Sequence, residues 1–187
     1  MDKYKALTSQ GAAAYLNTLE EIGWFSFPHN NKAKISEHLF GISSSEYFFY
    51  VLSHIVRDAE GFEEGSDYKE LFEEMAALSG VNVVAAEFEY EMIGFGEDEL
   101  TGTVVTENGN YNCELGELMG WLDADFIEGF VNEEILPGEG IEGRFFMLPA
   151  TDQMAQYTYA TQEVYDKAIA VGLLPDDPEY FMSGFDQ

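Results

Sequence analysis

The chain reads as an α+β fold: helices come first, then a mainly antiparallel sheet of about five strands with two further helices. Three observations predict it. Apolar residues recur at helical spacing as far as Gly80, the period drops to two after Val81, and Asn108-Gly109 marks a hairpin between two alternating runs. Helices and strands that cluster, instead of alternating, indicate α+β. The 187 residues fit one domain, with a helical part at 1–80, an acidic sheet-and-helix part at 81–174 and an acidic, aromatic tail at 175–187.

The elements follow in order. Thr8 or Ser9 is placed to cap a helix whose Ala12, Tyr15, Leu16, Leu19 and Ile22 share a face, and Gly23 ends it. A short helix spans Lys32 to Phe40. A longer one spans Ser43 to Glu60, with Tyr47, Phe48, Val51, Leu52, Ile55 and Val56 as one apolar face. Ser66 caps the next, which buries Tyr68, Leu71, Phe72, Met75 and Leu78 and stops at Gly80. From Val83 to Met92 the even positions are apolar (Val84, Ala86, Phe88, Tyr90, Met92) and the odd ones from Glu87 are glutamates, which describes a half-buried strand.

Asn108-Gly109 favours a two-residue type I′ turn that pairs Thr106 with Tyr111 and Val104 with Cys113. That register turns Val104, Tyr111, Cys113 and Leu115 to one face and Thr103, Val105, Asn112 and Glu114 to the other. Asp123 then caps a helix carrying Phe126, Ile127, Phe130, Val131 and Ile135, terminated at Pro137-Gly138. Strands follow at Arg144 to Leu148 and Gln153 to Ala160, and Thr161 caps a last helix that ends at Gly172.

Charge is the second strong signal. The net charge is −28, yet residues 1–57 hold five basic and five acidic side chains. All the excess lies beyond Arg57, where 31 acids face Lys69, Arg144 and Lys167. A small domain ordinarily carries a net charge of magnitude roughly 2–8. Such self-repulsion lowers stability, so moderate salt or mild acidification is expected to raise the melting temperature. Direct nucleic-acid binding and attachment to anionic membranes both need clustered Lys and Arg, which are missing. Adaptation to high salt would acidify the whole surface, and the balanced first 57 residues argue against it. What the charge fits is a basic protein partner. The chain starts Met1-Asp2-Lys3-Tyr4-Lys5 without an apolar leader run, has no membrane-length apolar stretch, and its single Cys113 suits a reducing compartment. The expected location is the cytoplasm.

Catalytic signatures are weak. His29, His38 and His54 form no metal-binding spacing, and Cys113 falls on the inward hairpin face, where a thiol is inert. The segment Gly138-Glu139-Gly140-Ile141-Glu142-Gly143 would repel phosphates through its glutamates. Neither Glu97-Asp98-Glu99 nor Asp123-Ala124-Asp125-Phe126-Ile127-Glu128 has the alternating ligands and central glycine of a calcium loop. With 36 carboxylates, acid–base pairs can be found anywhere and identify nothing. No cofactor, no metal site and no enzymatic activity are expected.

The row Glu87-Phe88-Glu89-Tyr90-Glu91 and the acidic helix from Asp123 resemble the acidic immunity proteins that bacteria make against nuclease toxins. No diagnostic motif covers the chain, so no member's functional residues carry over. The resemblance implies a small, non-enzymatic inhibitor that occludes a basic site, with steered association. The expected partner surface is Glu87, Glu89, Glu91, Glu97, Asp98, Glu99, Glu114, Asp123, Asp125 and Glu128. Tyr90, Tyr157 or Tyr159 would serve as buried anchors. Two alternatives use the same carboxylates differently. A phage-type DNA mimic, acting against restriction or another defence, would spread them in a double-helical pattern. A small carboxylate-dependent hydrolase would enclose one of raised pKa in a pocket.

Overall fold

The computed structural model describes residues 2–44, 47–92, 98–116, 118, 120–149 and 153–174. The fold is α+β, but the six strands among the described residues form two three-stranded antiparallel sheets where one sheet of about five was expected. The chain divides into two compact units, Met1–Val56 with Phe146–Asp152 and Gln156–Gln187, and Arg57–Phe145 with Gln153–Ala155. The sequence tail at 175–187 lies outside the described residues.

In the first unit, α1 (Lys3–Thr8) is an element the apolar spacing did not reveal; Asp2 caps it by accepting the Lys5 amide at 3.1 Å. The Thr8 hydroxyl donates back to the Tyr4 carbonyl at 2.9 Å, so neither Thr8 nor Ser9 caps α2 (Ala12–Glu21). Gly11 takes that place with a φ of +90°, open to glycine and strained for other residues. Asn31 caps α3 (Lys32–Leu39) through two amides. The expected helix over 43–60 is realised only as α4 (Tyr47–Leu52), and Ile55–Asp58 becomes strand β1. The β-branched pair Ile55-Val56 suits a pleated strand, and pairing with a neighbour overrides the helical periodicity.

That neighbour is β6 (Met154–Thr161), central in a sheet ordered β1-β6-β5 with β5 (Gly143–Met147). Thr161 caps α7 (Gln162–Val171) as expected, and Gly172 ends it in the left-handed conformation. Tyr4, Tyr15, Leu19, Trp24, Phe48 and Leu52 fill the core of this unit.

The second unit is a sheet covered on one face by helices. Helix α5 (Gly65–Ser79) begins with a reciprocal Glu64–Asp67 capping box, two residues earlier than the expected Ser66 cap, and ends at Gly80. Strands β2 (Val83–Met92), β3 (Asp98–Thr106) and β4 (Asn110–Gly116) pair antiparallel in sequence order. Phe88 packs by its edges on Phe72, Phe126 and Phe130. The apolar face of β2 is incomplete at both ends: Val84 is 66% and Met92 70% exposed. A register irregularity between Val83 and Ala85 breaks the alternation there, so that Val83, and not Val84, lies opposite the buried Thr106.

The hairpin register differs from the expected one by two residues. Val105 pairs with Asn110 and Val104 with Tyr111, leaving a four-residue loop, and Gly109 does not take the positive φ of a type I′ turn. The Thr106 hydroxyl accepts the Asn108 and Gly109 amides at 3.2 and 2.9 Å, and the Glu139 carboxylate accepts from Thr106, Asn108 and Tyr111 at 2.6, 2.8 and 2.8 Å. Those side-chain bonds hold the wider loop. Because the slip is even, every residue keeps its expected face.

The apolar helix after Asp123 is a ten-residue π-helix, Phe126–Ile135, which continues into the short α6 (Leu136–Gly138). Its five predicted core residues are all buried. Asn132, also buried, exchanges both its amide donor and acceptor with the backbone of Phe145 at 2.8 Å.

Candidate functional site

Strand parity builds the acidic face. On β2 the odd residues Glu87, Glu89 and Glu91 point away from the Phe88 side, and pairing sets them beside Thr103, Thr101 and Glu99 of β3. β4 adds Asn112 opposite Thr103 and Glu114 opposite Thr101. The result is an open polar face with three cross-strand rows, holding Glu87, Glu89, Glu91, Glu99 and Glu114, all exposed. Two shallow depressions run along it, one between Glu89, Glu91, Glu99 and Thr101, the other between Glu87, Glu89, Thr103 and Glu114.

Glu91 stands directly opposite Glu99, a like-charge pair that destabilises a sheet. Among the described residues none of these five carboxylates makes an ion pair or a side-chain hydrogen bond. Five of the eight basic residues are spent elsewhere, as Lys5–Asp2, Lys32–Glu20, Arg57–Glu74, Arg144–Glu133 and Lys167–Glu163.

Of the remaining sequence-derived site residues, the described ones are not brought to this face. Asp98 has even parity, lies on the inner side at 8% exposure and accepts the Tyr90 hydroxyl at 2.9 Å, while its other oxygen is buried without a partner. Asp123 is part-buried and works as a helix start, accepting the Asp125 amide at 2.8 Å. Asp125 and Glu128 are exposed, but their helix packs against the opposite face of the sheet through Phe126 and Phe130. Glu97 lies outside the described residues. The aromatic anchors are also corrected. Tyr157 and Tyr159 are core residues, and Tyr90 is tied to Asp98 and to the Gly120 amide. Among the described residues, the exposed aromatic of this unit is Trp121, at 42%, which composition alone does not distinguish from a core tryptophan.

Other reactive groups are held quiet by their surroundings. Burial, then the charges of Glu134 and Asp123, push the Cys113 thiol up to about 12. In the first unit Trp24 stacks on His54, and His29 meets the same ring edge-on at 4.6 Å. His54 accepts the Tyr159 amide on Nδ1 at 2.8 Å and contacts Asn30 Oδ1 through Nε2 at 2.7 Å, an arrangement that wants the neutral ring. Burial, reinforced by His29, pulls its pKa down to about 3. Glu139 is held below the carboxylate range: burial pushes it upward, and the three hydrogen bonds it accepts outweigh that.

Among the described residues no cluster of three or more His, Cys, Asp or Glu is placed to hold a metal ion, and no helix is long and apolar enough to cross a membrane. No protein-family model, curated protein or solved structure matches the chain.

Proposed function

We propose that the protein is an acidic, non-enzymatic inhibitor that covers a cationic site on another protein, in the manner of immunity proteins against nuclease toxins. The observation that carries this reading is the cation-free face of β2, β3 and β4. Five carboxylates stand there without an internal counter-charge, and one cross-strand pair sets two of them against each other. An arrangement that costs stability in the free protein gains it back when an external positive surface neutralises it. A nuclease site must hold a phosphodiester backbone and is cationic for that reason, so such a face both steers association and excludes substrate.

The face spans Glu87 to Glu91, roughly 13 Å along a strand, and is one-sided. That extent suits a plug better than a DNA mimic, whose carboxylates follow a duplex over an elongated body. A hydrolase needs a carboxyl of raised pKa; among the described residues the two carboxylates with a displaced pKa, Glu139 and Glu163, are both shifted downward.

The test is capture of the partner from the native cell, followed by association kinetics. Between ~0.01 M salt, where charges reach ~30 Å, and ~0.15 M, where they reach ~8 Å, the association rate should fall steeply while dissociation changes little. Glu87→Gln/Glu89→Gln/Glu91→Gln should slow association further. A salt-independent association rate, unchanged by the triple variant, would remove the reading.

A further inference from the structure

Trp121 sits on a backbone that is fastened on every side. Its amide donates to the Leu118 carbonyl at 3.0 Å and its carbonyl accepts the Tyr68 hydroxyl at 3.2 Å. The preceding Gly120 carbonyl accepts the Gly61 and Phe62 amides, and the Gly120 amide donates to the Tyr90 hydroxyl. The following Leu122 amide donates to the Ala59 carbonyl at 2.8 Å. A β-bridge pairs Trp121 with Glu60. The residue is nevertheless 42% exposed, and its indole makes no ring or cation contact among the described residues.

A fixed backbone that holds a large aromatic out into solvent has already met the ordering cost that an interface anchor would otherwise incur on binding. Its surroundings specify what it can receive. Glu60 lies across the bridge, and the Glu63 carboxylate comes within 3.4 Å of where a side chain on Gly120 would begin. Residues 58–64 and 120–125 contain Asp58, Glu60, Glu63, Glu64, Asp123 and Asp125 and no Lys, Arg or His. The nearest cation in sequence, Arg57, is paired with Glu74 at 2.6 Å. An apolar or anionic group would meet these carboxylates unfavourably. A guanidinium fits both parts of the surface, stacking its plane on the indole while its edge donates to carboxylates.

Taking the partner's positive charge from the reading above, we propose that Trp121 is an aromatic anchor for an arginine side chain of that partner. It forms a contact separate from the glutamate rows, with Glu60 and Glu63 as the flanking acceptors. Lysine, a compact and strongly hydrated charge, is the poorer occupant.

The probes are octa-arginine and octa-lysine peptides at physiological salt. The chain has two tryptophans, and Trp24 is fully buried, so emission quenched by acrylamide reports Trp121. Octa-arginine should bind more tightly than octa-lysine and protect that emission. Trp121→Leu, which keeps apolar area but no π face, should weaken octa-arginine binding about tenfold and abolish the arginine preference; Trp121→Phe should restore part of both. Unchanged melting temperatures establish that the variants are folded.

If Trp121→Leu binds octa-arginine as the wild type does, or if bound peptide leaves the quenching unaltered, the anchor is refuted. Loss of all binding in Glu87→Gln/Glu89→Gln/Glu91→Gln, with Trp121→Leu unaffected, refutes the anchor and keeps the glutamate face. The reverse pattern supports the anchor and removes the glutamate face. Binding of neither peptide overturns both.

Discussion

Gly102 and Phe88 form a pair that neither residue announces alone. They are directly opposite across β2 and β3, and a methyl group on Gly102 would overlap the Phe88 ring. Gly102→Ala is therefore expected to destabilise by about 1–3 kcal/mol through overpacking, and Phe88→Ala by about 3 kcal/mol through lost aromatic packing. Because the second change removes what the first collides with, the double variant should cost clearly less than the sum, as a denaturant double-mutant cycle would register. His54 is the second decisive residue. A histidine depressed to about 3 contributes stability that is complete above its ordinary pKa of 6.5 and lost as the pH falls toward 3. At pH 5.5 that loss is about 1 kcal/mol, opposite in sign to the relief of carboxylate repulsion expected from the charge. The two separate in ~1 M salt, where charges reach only ~3 Å. There the melting temperature should fall from pH 7.5 to pH 5.5, and His54→Gln should flatten that slope.

At the scale of elements, the second unit depends on side chains that replace missing backbone partners. Asn132 reaches from the π-helix and satisfies both the amide and the carbonyl of Phe145. Asn132→Ala leaves two polar groups unpaired where Asn132 was buried, and should cost about 2–4 kcal/mol by chemical denaturation. The hairpin tip is fastened by Glu139 in the same way. Tyr111 is pushed up to about 12, by burial first and by its bond to this carboxylate second. Glu139 is depressed, so its contribution is present above the ordinary carboxylate range and lost as the pH falls through its folded value. Glu139→Gln should loosen the loop, read as faster hydrogen exchange at the Asn108 and Gly109 amides with the strands unaffected.

Over the whole molecule the charge is unevenly held. The unit built on Arg57–Phe145 with Gln153–Ala155 carries 24 of the 36 acidic side chains and only Arg57, Lys69 and Arg144, a net of −21. Moderate salt at pH 8 should raise the melting temperature of the free protein. Glu87→Gln/Glu89→Gln/Glu91→Gln should leave the fold intact and raise stability by up to about 1 kcal/mol, chiefly by removing the Glu91–Glu99 opposition. A triple variant that melts lower than the wild type would show that these carboxylates are structural after all.

Periodicity and local chemistry by themselves determined the α+β class, the bounds of β2, the faces of β4 and of β2 between Ala86 and Glu91, and the caps at Gly80, Thr161 and Gly172. Each follows from forces acting within a few residues: side-chain alternation, the left-handed freedom of glycine, and a hydroxyl accepting a nearby amide. Tertiary structure decided the rest. Ile55–Asp58 reads as helix until β6 offers it a strand to pair with. The hairpin loop reads as two residues until Glu139, some thirty positions away, binds its tip. Asp98 reads as one more surface acid, and only the pairing of β2 with β3 shows that it faces inward beside Leu100. Trp121 illustrates the same limit from the other direction. A tryptophan's sequence context does not say whether it is buried, because exposure depends on which distant segments arrive to cover it. Here Tyr68, Tyr90, Ala59 and Phe62 hold its turn while the ring stays in solvent.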